Sequence, residues 1–301
     1  MKVVVTGGTG FVGRRLKRIK PNWIYLSSKD YDLVSAEDCK KMYRELRPDA
    51  VVHMAGKIGG IIASDANPAE FYYLNMMMNT NVVHEGYLYG VKRILATLST
   101  CAFPDVVEQY PFVEDDILLG APAHTNISYA YAKRALYVQI KSYREQYGVN
   151  YSTFCPANIY GPDDNYGSLE SHFIAALISK VMQAKNGDTI ELWGTGNPLR
   201  QQLYVDDLCE IIPMLLEKHN GGEPLIVAPD ENMSIDSIAK SLISQLDKDI
   251  IIIYNNKLDG QFRKDGSNNK LKEIIGDYSF TKLKEGILAA YNSYKEKVSG
   301  I

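Results

Sequence analysis

Three observations predict an α/β fold built on a doubly wound parallel sheet. Short apolar runs alternate with helical runs through the first half of the chain, which is the pattern of βαβ units. The first apolar run, Lys2 to Thr6, passes at once into Gly7-Gly8-Thr9-Gly10-Phe11-Val12-Gly13 and then into a helical run, Arg14 to Ile19. After Gly161 the alternation loosens into a smaller C-terminal α/β portion. The reading is a Rossmann-type dinucleotide-binding domain over 1–160 and a substrate portion over 161–301. A segment near 203–220 is expected to pack back on the first domain.

The elements follow from local chemistry. The glycines after the first strand allow a tight turn and let a pyrophosphate approach the helix N-terminus. Trp23 to Ser27 reads as the second strand. It ends in Ser27-Ser28-Lys29, where an NAD-selective site usually carries an acid for the ribose hydroxyl. A hydroxyl and an ammonium suit a 2′-phosphate, which predicts NADP(H). Ala36 to Arg47 is a helix stopped by Pro48. Ala50 to Met54 is a buried strand, followed by the small residues Ala55 and Gly56, past which a cofactor can run close to backbone. Asn67-Pro68-Ala69-Glu70 reads as a capped helix start. The helix it opens is apolar on nearly all sides, so it is expected in the core or in a subunit interface.

Val91 to Leu98 is a strand that delivers Ser99. A loop rich in Pro and acids leads to a helix that carries Tyr129 and Lys133 and stops at Gly148. Tyr151 to Cys155 is the next strand, and Pro156 to Pro162 a turn-rich exit. Further on, a helix over Ser171 to Ala184 carries His172 near its start, and Thr189 to Trp193 is a strand. A helix begins at Tyr204, and Pro224 to Val227 is a strand. Ser234 to Leu246, Ile250 to Tyr254 and Phe280 to Lys297 complete the portion, with Asp265 to Lys270 as a polar loop.

With 301 residues and a net charge of −3, the chain has no basic excess for nucleic acid. No apolar stretch approaches the roughly 20 residues of a membrane span. Met1-Lys2-Val3 leads straight into a strand, with no signal peptide expected. Cys39, Cys101, Cys155 and Cys209 have neither metal spacing nor disulfide-scaffold density, so no metal is expected and the cytoplasm is the expected compartment.

Tyr129 and Lys133 stand four apart, on one face of a helix. An ammonium beside a phenol favours phenolate, which would suit Tyr129 to exchange a proton with a carbonyl oxygen near neutral pH. Ser99 could hydrogen-bond the same oxygen.

The combination resembles the extended branch of the short-chain dehydrogenase/reductase superfamily, and within it the GDP-L-fucose synthase family of GDP-4-keto-6-deoxymannose epimerase/reductases. The resemblance runs from about Val3 to Leu288. It is carried by Lys57-Ile58-Gly59-Gly60, Asn75-Met76-Met77, Ser99-Thr100-Cys101-Ala102-Phe103-Pro104, Tyr129-Ala130-Tyr131-Ala132-Lys133, Tyr160-Gly161-Pro162, Ser171-His172 and Trp193-Gly194-Thr195-Gly196-Asn197-Pro198. It implies Ser99, Tyr129 and Lys133 as a reductase triad. It also implies Cys101 and His172 as the acid/base pair of an epimerisation. Lys180, Trp193, Arg200 and Asp259 fall where the family contacts a GDP-linked 4-keto sugar. NADPH is expected along Gly7, Gly10, Phe11, Val12 and Gly13, at Ser28, Lys29 and Leu33, at Ala55 and Gly56, at Lys133, and at Pro156, Asn158 and Ile159. The family also implies a homodimer, with two helices from each subunit in a four-helix bundle.

The implied chemistry is coherent. C3 and C5 both flank a C4 ketone, so one site can invert both centres and then reduce C4. A thiol and an imidazole can each titrate near neutrality when their surroundings shift them. Taken alone, Cys101 reads as a core thiol and His172 as a helix-start histidine. Three positions depart from the family pattern: Ala157 replaces a threonine, Asp163 a histidine in the substrate loop, and Gln202 an aromatic. They are expected around the sugar. Two readings stay open, an epimerase/reductase and a reductase acting only at C4 of another GDP-4-keto-hexose or heptose. A cofactor-sensing regulator without chemistry is disfavoured by the Tyr129–Lys133 pair.

Overall fold

The computed structural model describes residues 1–167, 171–257 and 259–299. The first half runs β1 (Val3–Thr6), α1 (Phe11–Ile19), β2 (Ile24–Tyr25), α2 (Ala36–Leu46), β3 (Ala50–His53), α3 (Ile61–Ala66), α4 (Pro68–Leu88), β4 (Arg93–Thr97), α5 (Ile127–Tyr147), β5 (Asn150–Pro156) and β6 (Asn158–Tyr160). The second half runs α6 (Phe173–Gln183), β7 (Thr189–Leu192), β8 (Leu199–Tyr204), α7 (Val205–Lys218), β9 (Pro224–Val227), β10 (Asn232–Ser234), α8 (Ile235–Ile243), β11 (Ile251–Tyr254), β12 (Arg263–Lys264), α9 (Asn269–Ile275) and α10 (Leu283–Ser299).

Six strands form one parallel sheet in the order β2-β1-β3-β4-β5-β9. Helices α2, α4 and α5 pack together, and so do α1, α7 and α9, which gives the doubly wound α/β fold that the alternating pattern predicts. Val4, Val5, Val51, Val52, Ile94 and Leu95 are fully buried. Parallel strands covered on both faces require such continuous apolar runs, and each buried side chain contributes about 1.5–3 kcal/mol. The order reverses between β1 and β3, so the crevice for a ligand opens at their C-terminal ends. Arg93 locks α7 to the sheet by donating to the Leu215, Leu216 and His219 carbonyls at the helix end (3.1, 3.1 and 2.6 Å).

A second core, around Tyr160, Ile174, Ile178, Leu242 and Ile287, joins α6, β7, α8, β11 and α10. Between the two cores β8 pairs with β6, β10 and β12. Among the described residues no helix is long and apolar enough to cross a membrane.

Several local expectations fail for identifiable reasons. Strand β2 stops two residues short of Ser27, because the Asp30 carboxylate accepts from Ser27 N and Oγ (both 2.7 Å) and bends the chain into a turn. Asn67 stands at the N-cap position of α4 but its side chain makes no capping bond: its amide donates back to the Ala63 carbonyl within α3, a helix absent from the sequence reading. Strands β6 and β8 lie in stretches read as a turn-rich exit and the approach to a helix, α9 begins in the polar loop expected over Asp265 to Lys270, and β12 falls where no element is expected.

Candidate active site

The glycine turn is a cradle shaped for a dinucleotide. Gly7 has φ +70°, and a Cβ there would lie 2.8 Å from the Ala55 nitrogen. A Cβ on Gly13 would sit 2.4 Å from the Gly8 carbonyl oxygen. Only glycine lets β1, the loop after β3 and α1 close up this tightly. The first intrahelical bond of α1 runs from Arg14 N to Gly10 O, so the N–H groups of Phe11, Val12 and Gly13 precede it and suit an anion. Ser28 and Lys29 are exposed beyond β2, and Asp30 is engaged by Ser27. Leu33 is buried, and its carbonyl accepts from Asn81 (3.0 Å). Asn75 fixes the loop of Ala55, Gly56 and Lys57 by accepting from Lys57 N (3.1 Å) and donating to Lys57 O (3.0 Å). Pro156 ends β5, and Asn158 and Ile159 form β6 beside β8. Ala157, one of the three departures, is buried and donates from its backbone to the Val227 carbonyl at 2.9 Å.

Ser99 follows β4. Its Oγ accepts from Cys101 N at 3.2 Å, and its carbonyl from Ala102 N at 2.9 Å. This caps a single 3-10 turn, Thr100–Ala102. Tyr129 stands in the first turn of α5, with Lys133 one turn on. The Lys133 ammonium is 5.7 Å from the Tyr129 ring centre, and it donates to the Thr97 carbonyl at 2.8 Å. Burial lowers the Lys133 pKa to about 8.

The expected depression of the Tyr129 pKa is not what the geometry gives. Burial, aided by the neighbouring Cys101, raises it, and the Ser99 hydrogen bond opposes only part of that. The phenol is therefore protonated at neutral pH, the state needed to give a proton to a reduced ketone oxygen.

The Cys101 thiol is half-buried and accepts from Lys264 Nζ at 3.0 Å. Burial raises its pKa, but the charge and hydrogen bond of Lys264, the Ser99 hydrogen bond and the Arg200 charge together bring it below the ordinary thiol value. The surrounding walls and the same Lys264 ammonium lower His172, which opens α6 at its N-cap position. Ser99, Cys101, Tyr129, Lys133 and Arg200 thus converge, with His172 in electrostatic reach of Lys264. The sequence reading missed Lys264. It stands in a polar run, Arg263 to Asp265, and only its position two residues before the loop glycine-serine pair Gly266-Ser267 set it apart.

The remaining candidates lie around the end of β7. Asp259 accepts from Thr195 N (2.6 Å) and Thr195 Oγ1, and its charge reaches Arg200. Lys180 donates to the Glu191 carbonyl, and Trp193 is half-exposed. Asp163, expected at the sugar, is instead tied to α1. Its carboxylate meets Arg15 (3.3 Å) and Arg18 (2.8 Å), and its carbonyl accepts from Arg14 (2.7 Å). The arginines that follow the glycine turn explain the acid at this position.

Residues 3–228 match the model of the NAD dependent epimerase/dehydratase family. A GDP-L-fucose synthase of Dictyostelium discoideum is 36% identical over 95% of this chain and 92% of its own. A GDP-L-fucose synthase of Sinorhizobium fredii is 32% identical over 99% of this chain and 96% of its own. A solved structure of a Naegleria fowleri GDP-L-fucose synthetase bound to NADP superposes with a TM-score of 0.88 at 30% identity, over 99% of this chain and 93% of that one.

Proposed function

The chain belongs to the NAD dependent epimerase/dehydratase family, on its GDP-L-fucose synthase branch, and from that premise we propose an NADPH-dependent GDP-4-keto sugar reductase that also epimerises C3 and C5. One observation carries this reading. A single turn, Ser99 to Ala102, sets a hydroxyl for the ketone oxygen two residues from a cation-paired thiol.

In epimerisation the Cys101 thiolate removes a proton from a carbon beside the ketone. An S–H bond forms, and the C–H electron pair moves into an enolate whose oxygen meets Ser99 and Tyr129. His172 is the acid that returns a proton from the opposite face, and because burial and the Lys264 charge lower its pKa, this step draws on the minor imidazolium form. For reduction, the cradle of Gly7, Gly10 and Gly13 with the N–H groups of Phe11 and Val12 would hold NADPH, which when bound would supply a hydride to C4. Tyr129 gives its proton to the C4 oxygen, Ser99 holds that oxygen, and Lys133 balances the charge left on the phenolate.

Residues 1–160 with 203–220 hold the cofactor, through the residues named above. The rest of 161–301 holds the GDP-sugar through Lys180, Trp193, Arg200 and Asp259. The exposed Tyr72, Tyr73 and Leu88 of α4 and Tyr131 and Val138 of α5 support a homodimer formed by those paired helices. Free cysteines and NADPH dependence support a cytoplasmic setting.

Product NMR after turnover in D2O tests the reading, using a GDP-4-keto-6-deoxyhexose and a GDP-4-keto-heptose. Deuterium at C3 and C5 with inverted configuration is expected for one of them. C4 reduction with no deuterium at either carbon makes the enzyme a C4 reductase only.

A further inference from the structure

We infer that Lys264 is the positioning residue of the epimerisation half-reaction, the fixed cation that holds Cys101 as a thiolate. The inference rests on the epimerase reading above for its purpose, though not for its geometry.

The geometry is a 3.0 Å contact from an ammonium to a thiol sulfur, made across 163 residues of sequence. A surface lysine loses much rotamer freedom on making such a contact. Here the backbone beneath it is built to hold it. Lys264 ends β12, in parallel register with Arg200 of β8. On one side Arg263 is spent on Asp265 (2.6 and 3.0 Å) and stacks 4.8 Å over the Tyr110 ring. On the other side Gly266 is clamped by Gln201, whose amide accepts from Gly266 N (2.9 Å) and donates to Gly266 O (3.1 Å) and Pro229 O (2.9 Å). The Asp265 carbonyl accepts from Phe112 N at 2.9 Å. A Cβ on Gly266 would lie 2.7 Å from the Phe112 ring, and that ring stacks on Phe103 just after the Cys101 turn. The strand bearing the lysine and the turn bearing the thiol therefore form one packed unit.

The groups that act on Cys101 fit the assignment. Ser99 comes from its own turn, Lys264 from β12 and Arg200 from β8, and all three favour the anion. Tyr129 of α5 and Cys155 of β5 also face it. The carboxylate of Asp259 reaches Arg200. Without Lys264, burial acts against the charge with one full cation fewer to oppose it. Lys264 also disfavours protonated His172.

The test reads the thiol directly, with no sugar present. Cys39, Cys155 and Cys209 are buried, so iodoacetamide should report on Cys101, with Cys101→Ser as the blank. Lys264→Met is expected to slow alkylation at pH 7 by about tenfold or more and to move the alkylation profile to higher pH, while Lys264→Arg restores much of the rate. With sugar, the ratio of deuterium wash-in to C4 reduction should fall in Lys264→Met. An alkylation profile that does not move in Lys264→Met overturns the inference. If KM for the GDP-sugar rises at the same time, the lysine serves only the diphosphate. Absence of wash-in from wild type, with the alkylation shift intact, would sink the epimerase reading and leave the Lys264–Cys101 pairing standing.

Discussion

Replacing Lys133 with methionine should abolish reduction and yet leave the fold no weaker. Lys133 is 3% exposed, and burial brings its pKa from 10.5 to about 8. Below pH 8 the folded protein holds a buried ammonium that the unfolded chain would hold in water. A shift of this size corresponds to about 3 kcal/mol of strain on the folded state at pH 7. The depressed pKa fixes the sign: between pH 8 and 10.5 the unfolded chain binds more protons, so stability gained from this residue rises with pH and is lost as pH falls through 8. Lys133→Met removes the strain and also removes the bond to the Thr97 carbonyl, which costs about 1–3 kcal/mol if that carbonyl is left unpaired. The variant should therefore match or exceed wild type at pH 7 and fall behind it by pH 10. Urea unfolding of both proteins without cofactor, at pH 7, 8, 9 and 10, measures the difference, and titrations common to the two proteins cancel. A difference that is flat with pH, or a variant more than about 3 kcal/mol less stable at pH 7, refutes the reasoning.

Tyr129→Phe should retain NADPH binding by fluorescence titration and lose about 10²–10⁴-fold in reductive turnover, the range for a proton donor; near-normal turnover would exclude that role. Wild type should favour NADPH over NADH in kcat/KM, and Lys29→Ala should narrow the preference, whereas an NADH preference in wild type contradicts the reading of Ser28 and Lys29. Light scattering at micromolar concentration should give a dimer mass, and Tyr73→Glu should shift it towards monomer; a monomeric wild type removes the proposed α4–α5 interface.

The fold was legible where sequence pattern and burial coincide. The run Val3-Val4-Val5, the glycine turn and the helix after it leave little choice, and the same holds for Tyr129 and Lys133 on α5. Strand β8 was not legible, because Leu199-Arg200-Gln201-Gln202-Leu203-Tyr204 is polar at its centre. Gln201 is buried there only because its amide satisfies backbone groups of Gly266 and Pro229. A pairing of that kind depends on residues 28 and 65 positions away, which periodicity does not report. Lys264 escaped for the same reason, since its partner is distant in the chain. The place of Asp163 in its motif points to the sugar, but Arg15 and Arg18, 148 and 145 residues earlier, claim it. Spacing gives the wrong sign for the Tyr129 pKa because it reports which side chains are neighbours and says nothing of how deeply they are buried.

On the proposed function, one site performs two separable chemistries, proton exchange through Cys101 and reduction through Tyr129. Deuterium wash-in at C3 and C5 of the GDP-4-keto sugar, measured by NMR for wild type and Cys101→Ser, separates the two. Wild type should incorporate deuterium at both carbons. Cys101→Ser should incorporate none, while still reducing a 4-keto sugar that has already been epimerised. Full wash-in by Cys101→Ser, or joint loss of wash-in and of reduction of the epimerised sugar in a correctly folded variant, would contradict the claim.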